Sequence, residues 1–250
     1  MTTKAHAKVN IFLKITGTRG SYHLLASRFM RVENLYDTLS FVKKEKTDQR
    51  FVLEGRFGCP VEKNTIYKAY RLLLELPQGK RVKQFFHEHA VRVEKSIPEF
   101  AGLGGGSSDA AAFLRLTNDV CDLGLSREAL GTIGAKIGAD VPFFTSGYAS
   151  ANVSGIGESV KPFEEAPLQL QTVTPPVACD TAKVYQRFRE AYIQNLTKNE
   201  NLAKKLLPMQ SADILQHYDA KTVNDLFPPA LDLCPKLSQY AAEGWFFSGS

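Results

Sequence analysis

The chain has 250 residues, 44% of them hydrophobic, which is enough apolar material for two cores of ordinary size, and two lobes are expected. Its formal charge of +5 is scattered along the sequence, which suits an anionic small molecule and leaves no basic stripe for nucleic acid. No apolar run approaches the roughly 20 residues that span a bilayer, no signal or transit pattern opens the chain, and the four cysteines lack Cys-x-x-Cys spacing and read as reduced; a cytoplasmic protein is expected.

Lys8 to Ile15 is rich in β-branched and aromatic residues and predicts a strand ending at Gly17, with a turn through Thr18–Ser21. Lys8 and Asn10 then share one strand face. Tyr22-His23 follows the turn; such a pair is ordinary packing in most proteins, and the alternative is recognition of a flat ring by stacking and hydrogen bonds. Further strands are predicted at 29–32 and 38–43, followed by a charged, mobile segment from Lys43 to Arg50. Asn64 is placed to cap a helix over 65–76, whose Ile66, Ala69, Tyr70 and Leu73 share a face. A polar connection through Gly79 leads to a strand over 90–95, and His87 and His89 read as a solvated strand edge rather than a metal pair.

The stretch Glu99-Phe-Ala-Gly-Leu-Gly-Gly-Gly-Ser-Ser-Asp109 runs directly into the apolar segment Ala110–Thr117. Glycines at 102, 104, 105 and 106 are expected to supply positive φ angles and to clear Cβ atoms from the backbone amides. Ser107, Ser108 and Asp109 are placed to cap the helix, predicted to run to about Leu123. Exposed amides at a helix N-terminus attract anions, and a phosphate chain is the natural occupant. The run fails the Rossmann pattern, because Ser107 replaces the third glycine, and it fails the Walker pattern, because no lysine follows.

Ser126 opens another helix, with Leu130, Ile133 and Ile137 on its buried side. Gly138-Ala-Asp-Val-Pro142 comes next. Asp140 reads first as a helix-cap or turn residue, with a carboxylate held at the edge of buried structure as the alternative. Strands are predicted at 147–153, 168–173 and 245–247, and a helix capped by Asp180 or Thr181 carries Val184, Tyr185, Phe188 and Tyr192. Short helices broken by Pro208, Pro228-Pro229 and Pro235 lie between the last two.

Three motifs in this order, Ala7-Lys-Val-Asn10 with Tyr22-His23, Gly102–Asp109, and Gly138-Ala-Asp-Val-Pro-Phe-Phe144, resemble the GHMP kinase superfamily across the whole chain. Within it the likeness is to members acting on a cytidine-diphosphate methylerythritol. The resemblance implies a two-lobed α/β fold divided as 1–155 and 156–250, with the active cleft between the lobes. It implies transfer of the γ-phosphoryl group of ATP, assisted by Mg²⁺, to a hydroxyl of this small-molecule substrate, in a monomer or weak homodimer, with no nucleic-acid or membrane partner and no protein ligand set for a metal. By match of position Lys8 and Asp140 are catalytic. Pro98, Glu99, Phe100, Ala101, Gly102, Leu103, Gly104, Gly105, Gly106, Ser107 and Ser108 hold the triphosphate, and Asn64 and Lys95 contact adenosine. Asn10, Tyr22, His23 and Tyr185 meet the phosphate acceptor. The chain departs from the family's pattern at Phe100-Ala101, where further glycines are usual, and at Gly20-Ser21, where Asp-Gly is usual. Its third glycine motif stops at Ser248-Gly-Ser250, so a natural chain extending past Ser250 is expected.

Overall fold

The computed structural model describes residues 1–45, 49–177, 179–242 and 244–249, which form two compact units. The first consists of Met1–Ala7, Val32–Glu99 and Gly104–Gly147, and the second of Lys8–Arg31, Phe100–Leu103 and Tyr148–Ser250. The units therefore interleave along the chain, instead of meeting at one boundary between residues 155 and 156. Two long strands, β1 (Thr2–Arg19) and β2 (Tyr22–Lys43), pair with one another and contribute residues to both. The separate strands predicted at 29–32 and 38–43 are parts of β2. The turn between β1 and β2 is Gly20-Ser21, and Gly20 takes the positive φ of 61° that the tight reversal needs. Of the charged segment predicted after β2, residues 46–48 lie outside the described residues.

In the first unit, the end of β2 pairs antiparallel with β4 (His89–Glu94), in the register Thr38 opposite Glu94 to Lys43 opposite His89. The short β3 (Leu53–Glu54) adds to β4 in parallel. Helices α1 (Thr65–Leu74), α2 (Gly79–Glu88), α3 (Gly105–Val120), α4 (Arg127–Ala135) and α5 (Val141–Ser146) complete it. Asn64 caps α1 by accepting from the Ile66 amide at 2.9 Å, and Ser126 caps α4 through the Ala129 amide at 3.2 Å. Helix α3 packs against α1 and α5. Phe41, Phe51, Tyr70, Phe86 and Phe113 interlock beneath, mostly edge to face.

The predicted polar connection at Gly79 is helix α2: Val82 and Phe86 are a turn apart and fully buried, and this two-residue stripe among lysines and arginines is too thin to stand out in the sequence. His87 consequently lies on a helix, and only His89 on a strand.

In the second unit, the beginning of β2 pairs with β5 (Ser150–Gly155), Leu25 opposite Gly155 to Met30 opposite Ser150, and β5 continues antiparallel to β6 (Ser159–Pro162). Helices α6 (Thr181–Ala191), α7 (Leu196–Leu206), α8 (Ser211–His217), α9 (Ala220–Val223) and α10 (Phe227–Leu233) follow. Asp180 caps α6, accepting from Ala182 and Lys183.

The strands predicted at 168–173 and 245–247 are not formed. Both segments run without regular structure, and their apolar residues serve as packing, with Leu168, Leu170 and Phe246 against the Ile11–Phe12 cluster and Phe247 against the Leu13–Ile15 cluster. At 168–173 the alternation in sequence marks a half-buried segment, which has no ladder partner among the described residues.

Two buried ion pairs fix the second unit. Lys14 contacts Asp225 and donates to the Thr222 carbonyl at 2.8 Å, while the other Asp225 oxygen accepts from the Ile15 amide at 2.7 Å. Arg28, wholly buried on β2, pairs with Glu165 at 3.3 Å, donates to Asn152 and the Leu207 carbonyl, and lies 3.3 Å over the Phe163 ring. Glu165 in turn accepts from the Ser211 amide and hydroxyl. A buried charge stripped of its partner is costly. Arg28→Ala should therefore lower unfolding free energy by about 3–5 kcal/mol in urea titration, whereas a loss under about 1 kcal/mol would mark the pair as no better than a surface bridge.

Candidate functional site

Helix α3 starts without a side-chain cap. Its N-cap position is Gly104, at φ 71°, and Ser107, Ser108 and Asp109 lie inside the first turns, contrary to the capping role expected of them. The amides at the start of a 16-residue helix thus meet no capping hydroxyl or carboxylate, and they coincide with the positive end of its dipole. Positive φ occurs at Gly102 (70°) and Gly104 and is not adopted by Gly105 or Gly106. Gly105 is required for space: a Cβ there would stand 3.1 Å from Ile97 Cγ2 and 3.5 Å from Lys95 Nζ. Phe100, where further glycine would be usual, also takes a positive φ of 59°, with its ring 91% exposed. Pro98 and Glu99 are exposed beside it, and Glu99 accepts from the Gly58 amide at 3.0 Å.

Beneath the helix start lies a charged set that the sequence reading gave only in part. Lys95 donates to Asp37 at 2.5 Å and to Asp109 at 2.7 Å, and Asp37 also accepts from the amides of Ser96 and Ile97. Asp109 Oδ1 is buried with no hydrogen-bond partner among the described residues. Burial, opposed by Lys95, pushes the Asp109 carboxyl up to about 7. The Lys95 ammonium is raised despite the opposing effect of its own burial, because Asp109 and Asp37 both hold its proton. Asp37 is not among the residues singled out from the sequence; a carboxylate in the strand-like run from Leu35 to Val42 is the signal that could have found it. Thr65, beside the α1 cap, donates to the Gly106 carbonyl at 2.6 Å.

The segment before α5 adjoins this helix start: a Cβ on Gly138 would lie 3.7 Å from Ser107 Oγ. Asp140 occupies the N-cap position of α5, yet its carboxylate does not cap that helix, so the capping reading of this residue falls away. It is half-buried, ahead of the buried run from Val141 to Thr145.

In the second unit, Lys8 and Asn10 do share a face of β1, both buried. Lys8 Nζ donates to Asn10 Oδ1 at 2.9 Å and lies 4.6 Å over the Phe29 ring. The Lys8 amide donates to the Leu103 carbonyl at 3.0 Å, which ties the strand to the glycine loop. Gly102 and Gly249 approach so closely that a Cβ on Gly249 would stand 2.6 Å from Gly102 Cα.

His23 stacks on Tyr185 of α6 at 5.1 Å and meets Phe188 edge-on at 5.9 Å, while Tyr22, on the opposite strand face, is 63% exposed. Burial, followed by the charge of Arg189, lowers the His23 imidazole below its usual value and keeps it neutral, so each ring nitrogen has a distinct hydrogen-bonding role. Its Nε2 is buried with no partner among the described residues. A neutral imidazole backed by an aromatic ring, with one nitrogen unsatisfied, is suited to a planar base.

Residues 64–148 match the family model of the GHMP kinases N terminal domain. The chain is 52% identical over 247 residues, 98% of its length and 94% of the relative's, to 4-diphosphocytidyl-2-C-methyl-D-erythritol kinase of Sulfurovum sp.. It is 41% identical to the enzyme of that name from Campylobacter jejuni, over 99% of this chain and 96% of that one. Among solved structures, a 4-(cytidine 5'-diphospho)-2C-methyl-D-erythritol kinase superposes with a TM-score of 0.65 at 27% identity, covering 96% of this chain and 81% of that one. The mevalonate kinase of Methanococcus jannaschii, at 12% identity and a TM-score of 0.56 over 100% of this chain and 87% of its own, shares the fold.

Between the ordinary carboxyl value near 4 and about 7, folded Asp109 holds a proton that the unfolded chain has lost. Its contribution to stability therefore falls as pH rises through that window. Asp109→Asn keeps the shape and an acceptor for Lys95 while removing the titration. Its melting temperature should change less than that of the wild type between about pH 5 and about pH 8; parallel pH curves for the two proteins would refute this.

Proposed function

The chain belongs to the 4-diphosphocytidyl-2-C-methyl-D-erythritol kinase family within the GHMP kinases, and from that membership we propose how its residues divide the work. The protein transfers the γ-phosphoryl group of ATP to the tertiary hydroxyl on C2 of the methylerythritol unit, a step of isoprenoid precursor synthesis. The observation that best supports a nucleotide phosphate as ligand is the side-chain-uncapped, glycine-led start of α3, where loop amides and helix dipole favour the same anion.

Phosphoryl transfer asks mainly for positioning and charge neutralisation. In this reading the loop from Pro98 to Ser108 holds the triphosphate. Asp140 accepts the proton of the acceptor hydroxyl as the new P–O bond forms, and Lys8 stabilises the negative charge carried by the transferring group. His23, with Tyr185 behind it and Tyr22 at the rim, receives the cytosine, and Asn10 meets the polyol. Asn64 and Lys95 face the nucleoside side of ATP, although the Asn64 acceptor oxygen is already engaged in capping α1.

Among the described residues no three His, Cys, Asp or Glu side chains gather as a metal cage. In this reading a Mg²⁺ ion would be held chiefly by the nucleotide phosphates, its common mode of binding, and would neutralise phosphate charge. Among the same residues no helix is long and apolar enough to cross a membrane.

ADP release with cytidine-containing and cytidine-free acceptors tests the specificity. His23→Ala should raise KM for the cytidyl substrate by roughly tenfold, corresponding to about 1–2 kcal/mol of stacking and hydrogen bonding, with KM for ATP unchanged. Equal effects on both substrates would remove His23 from base recognition. Asp140→Asn should lower kcat by roughly 10²–10⁴ with little movement in either KM. Recovery of that variant at high Mg²⁺ would assign the carboxylate to the metal instead.

A further inference from the structure

We propose that Ser27 is a positioning residue for Lys8, acting through the side-chain amide of Asn10. The inference rests on the reading of Lys8 as catalytic. Ser27 is wholly buried on β2 and has a single hydroxyl proton, which it donates to the Phe12 carbonyl at 2.5 Å. With that proton committed, the oxygen can only accept, and it accepts from Asn10 Nδ2 at 3.0 Å.

This sets the direction of the Asn10 amide: its NH₂ points at Ser27, so its oxygen faces the other way. The two lone pairs of that oxygen are met by Lys8 Nζ at 2.9 Å and by the Gly249 amide at 3.1 Å. The Asn10 backbone amide donates to Ser248 Oγ at 3.0 Å, which fixes the main chain from which the side chain projects. If the amide turned over, its NH₂ would confront an ammonium and an N–H, losing two bonds and opposing two donors. The Ser27 hydroxyl excludes that alternative, because the Phe12 carbonyl holds its proton. The Lys8 ammonium is thereby held between an oriented carbonyl oxygen and the face of Phe29.

Ser27 itself is wholly buried and has no assigned contact with either substrate, so its removal should appear chiefly in the rate. Ser27→Ala in the full-length protein should lower kcat by about 10- to 100-fold, the order expected of a misplaced catalytic group, with KM for ATP within about twofold of wild type. Ser27→Thr, which restores the hydroxyl, should recover most of the rate. Should the alanine variant fail to fold by circular dichroism, Ser27→Cys keeps the size with a much weaker acceptor and carries the same expectation. Lys8→Ala and the double variant Lys8→Ala/Ser27→Ala complete the test. The double variant should be no slower than Lys8→Ala, whereas a further, multiplicative loss would show that Ser27 acts independently of Lys8 and overturn the proposal. An unchanged kcat in Ser27→Ala alongside an inactive Lys8→Ala overturns the Ser27 role alone; full activity in Lys8→Ala overturns the catalytic reading on which it rests.

Discussion

A helix must do something with its first amides, and α3 offers them no side chain. That one unsatisfied requirement organises the first unit. The approach to the helix uses glycine in two different ways: Gly104 supplies the left-handed backbone at the cap, and Gly105 leaves the room that Ile97 and Lys95 have taken. Below, Lys95 is fastened by two carboxylates, one from β2 and one from the helix itself, so strand and helix start are joined through a single ammonium. Serine or threonine at position 104 would offer the helix a cap locally, but it would oppose the positive φ that Gly104 adopts.

The buried charges follow one rule throughout: each sits in a set whose donors and acceptors are counted out. Arg28 spreads its donors over Glu165, Asn152 and the Leu207 carbonyl; Asp225 accepts from Lys14 and the Ile15 amide; Asp37 accepts from Lys95 and two amides. Such sets are costly to assemble and costlier to break, which makes them good at fixing geometry and poor as sources of net stability. The exceptions are informative for that reason. Of the four buried side-chain atoms without partners among the described residues, His23 Nε2 and Asp109 Oδ1 belong to the proposed base-recognition site and to the start of α3, while Thr117 Oγ1 and Asn199 Nδ2 belong to neither.

Much of this was legible in the sequence where the signal is local. The shared face of Lys8 and Asn10 follows from strand alternation, the caps Asn64, Ser126 and Asp180 from residue type ahead of an apolar stripe, and the start of α3 from glycines running into an apolar segment. What escaped detection depends on partners distant in sequence. Helix α2 buries only Gly79, Val82 and Phe86, too few to register as a period. The stretch at 168–173 alternates like a strand and that at 245–247 is a short aromatic run, but whether a neighbouring strand lies alongside is decided elsewhere in the chain. Asp37 and Ser27 look unremarkable in sequence, since their meaning comes from residues 58 positions away in one case and 15 to 17 in the other. The capping role expected of Ser107 to Asp109 failed for a simpler reason: the cap position is Gly104, three residues before Ser107, and the three side chains fall inside the first turns of the helix.

Hydrogen-bond direction adds something that distance alone does not. An amide side chain is symmetrical in shape and opposite in polarity at its two ends, so packing cannot decide which end faces an ammonium. In the second unit the Lys8 ammonium and the Gly249 amide meet the Asn10 oxygen, and Ser27, its own proton given to the Phe12 carbonyl, accepts from the NH₂. The same Asn10 oxygen meets the Gly249 amide, and Gly249 is pressed against Gly102 of the loop at a separation no side chain would tolerate. Lys8 is also joined to that loop through the Leu103 carbonyl. The lysine, the entry to the glycine loop and the segment at 248–249 are thus held by one continuous set of short contacts.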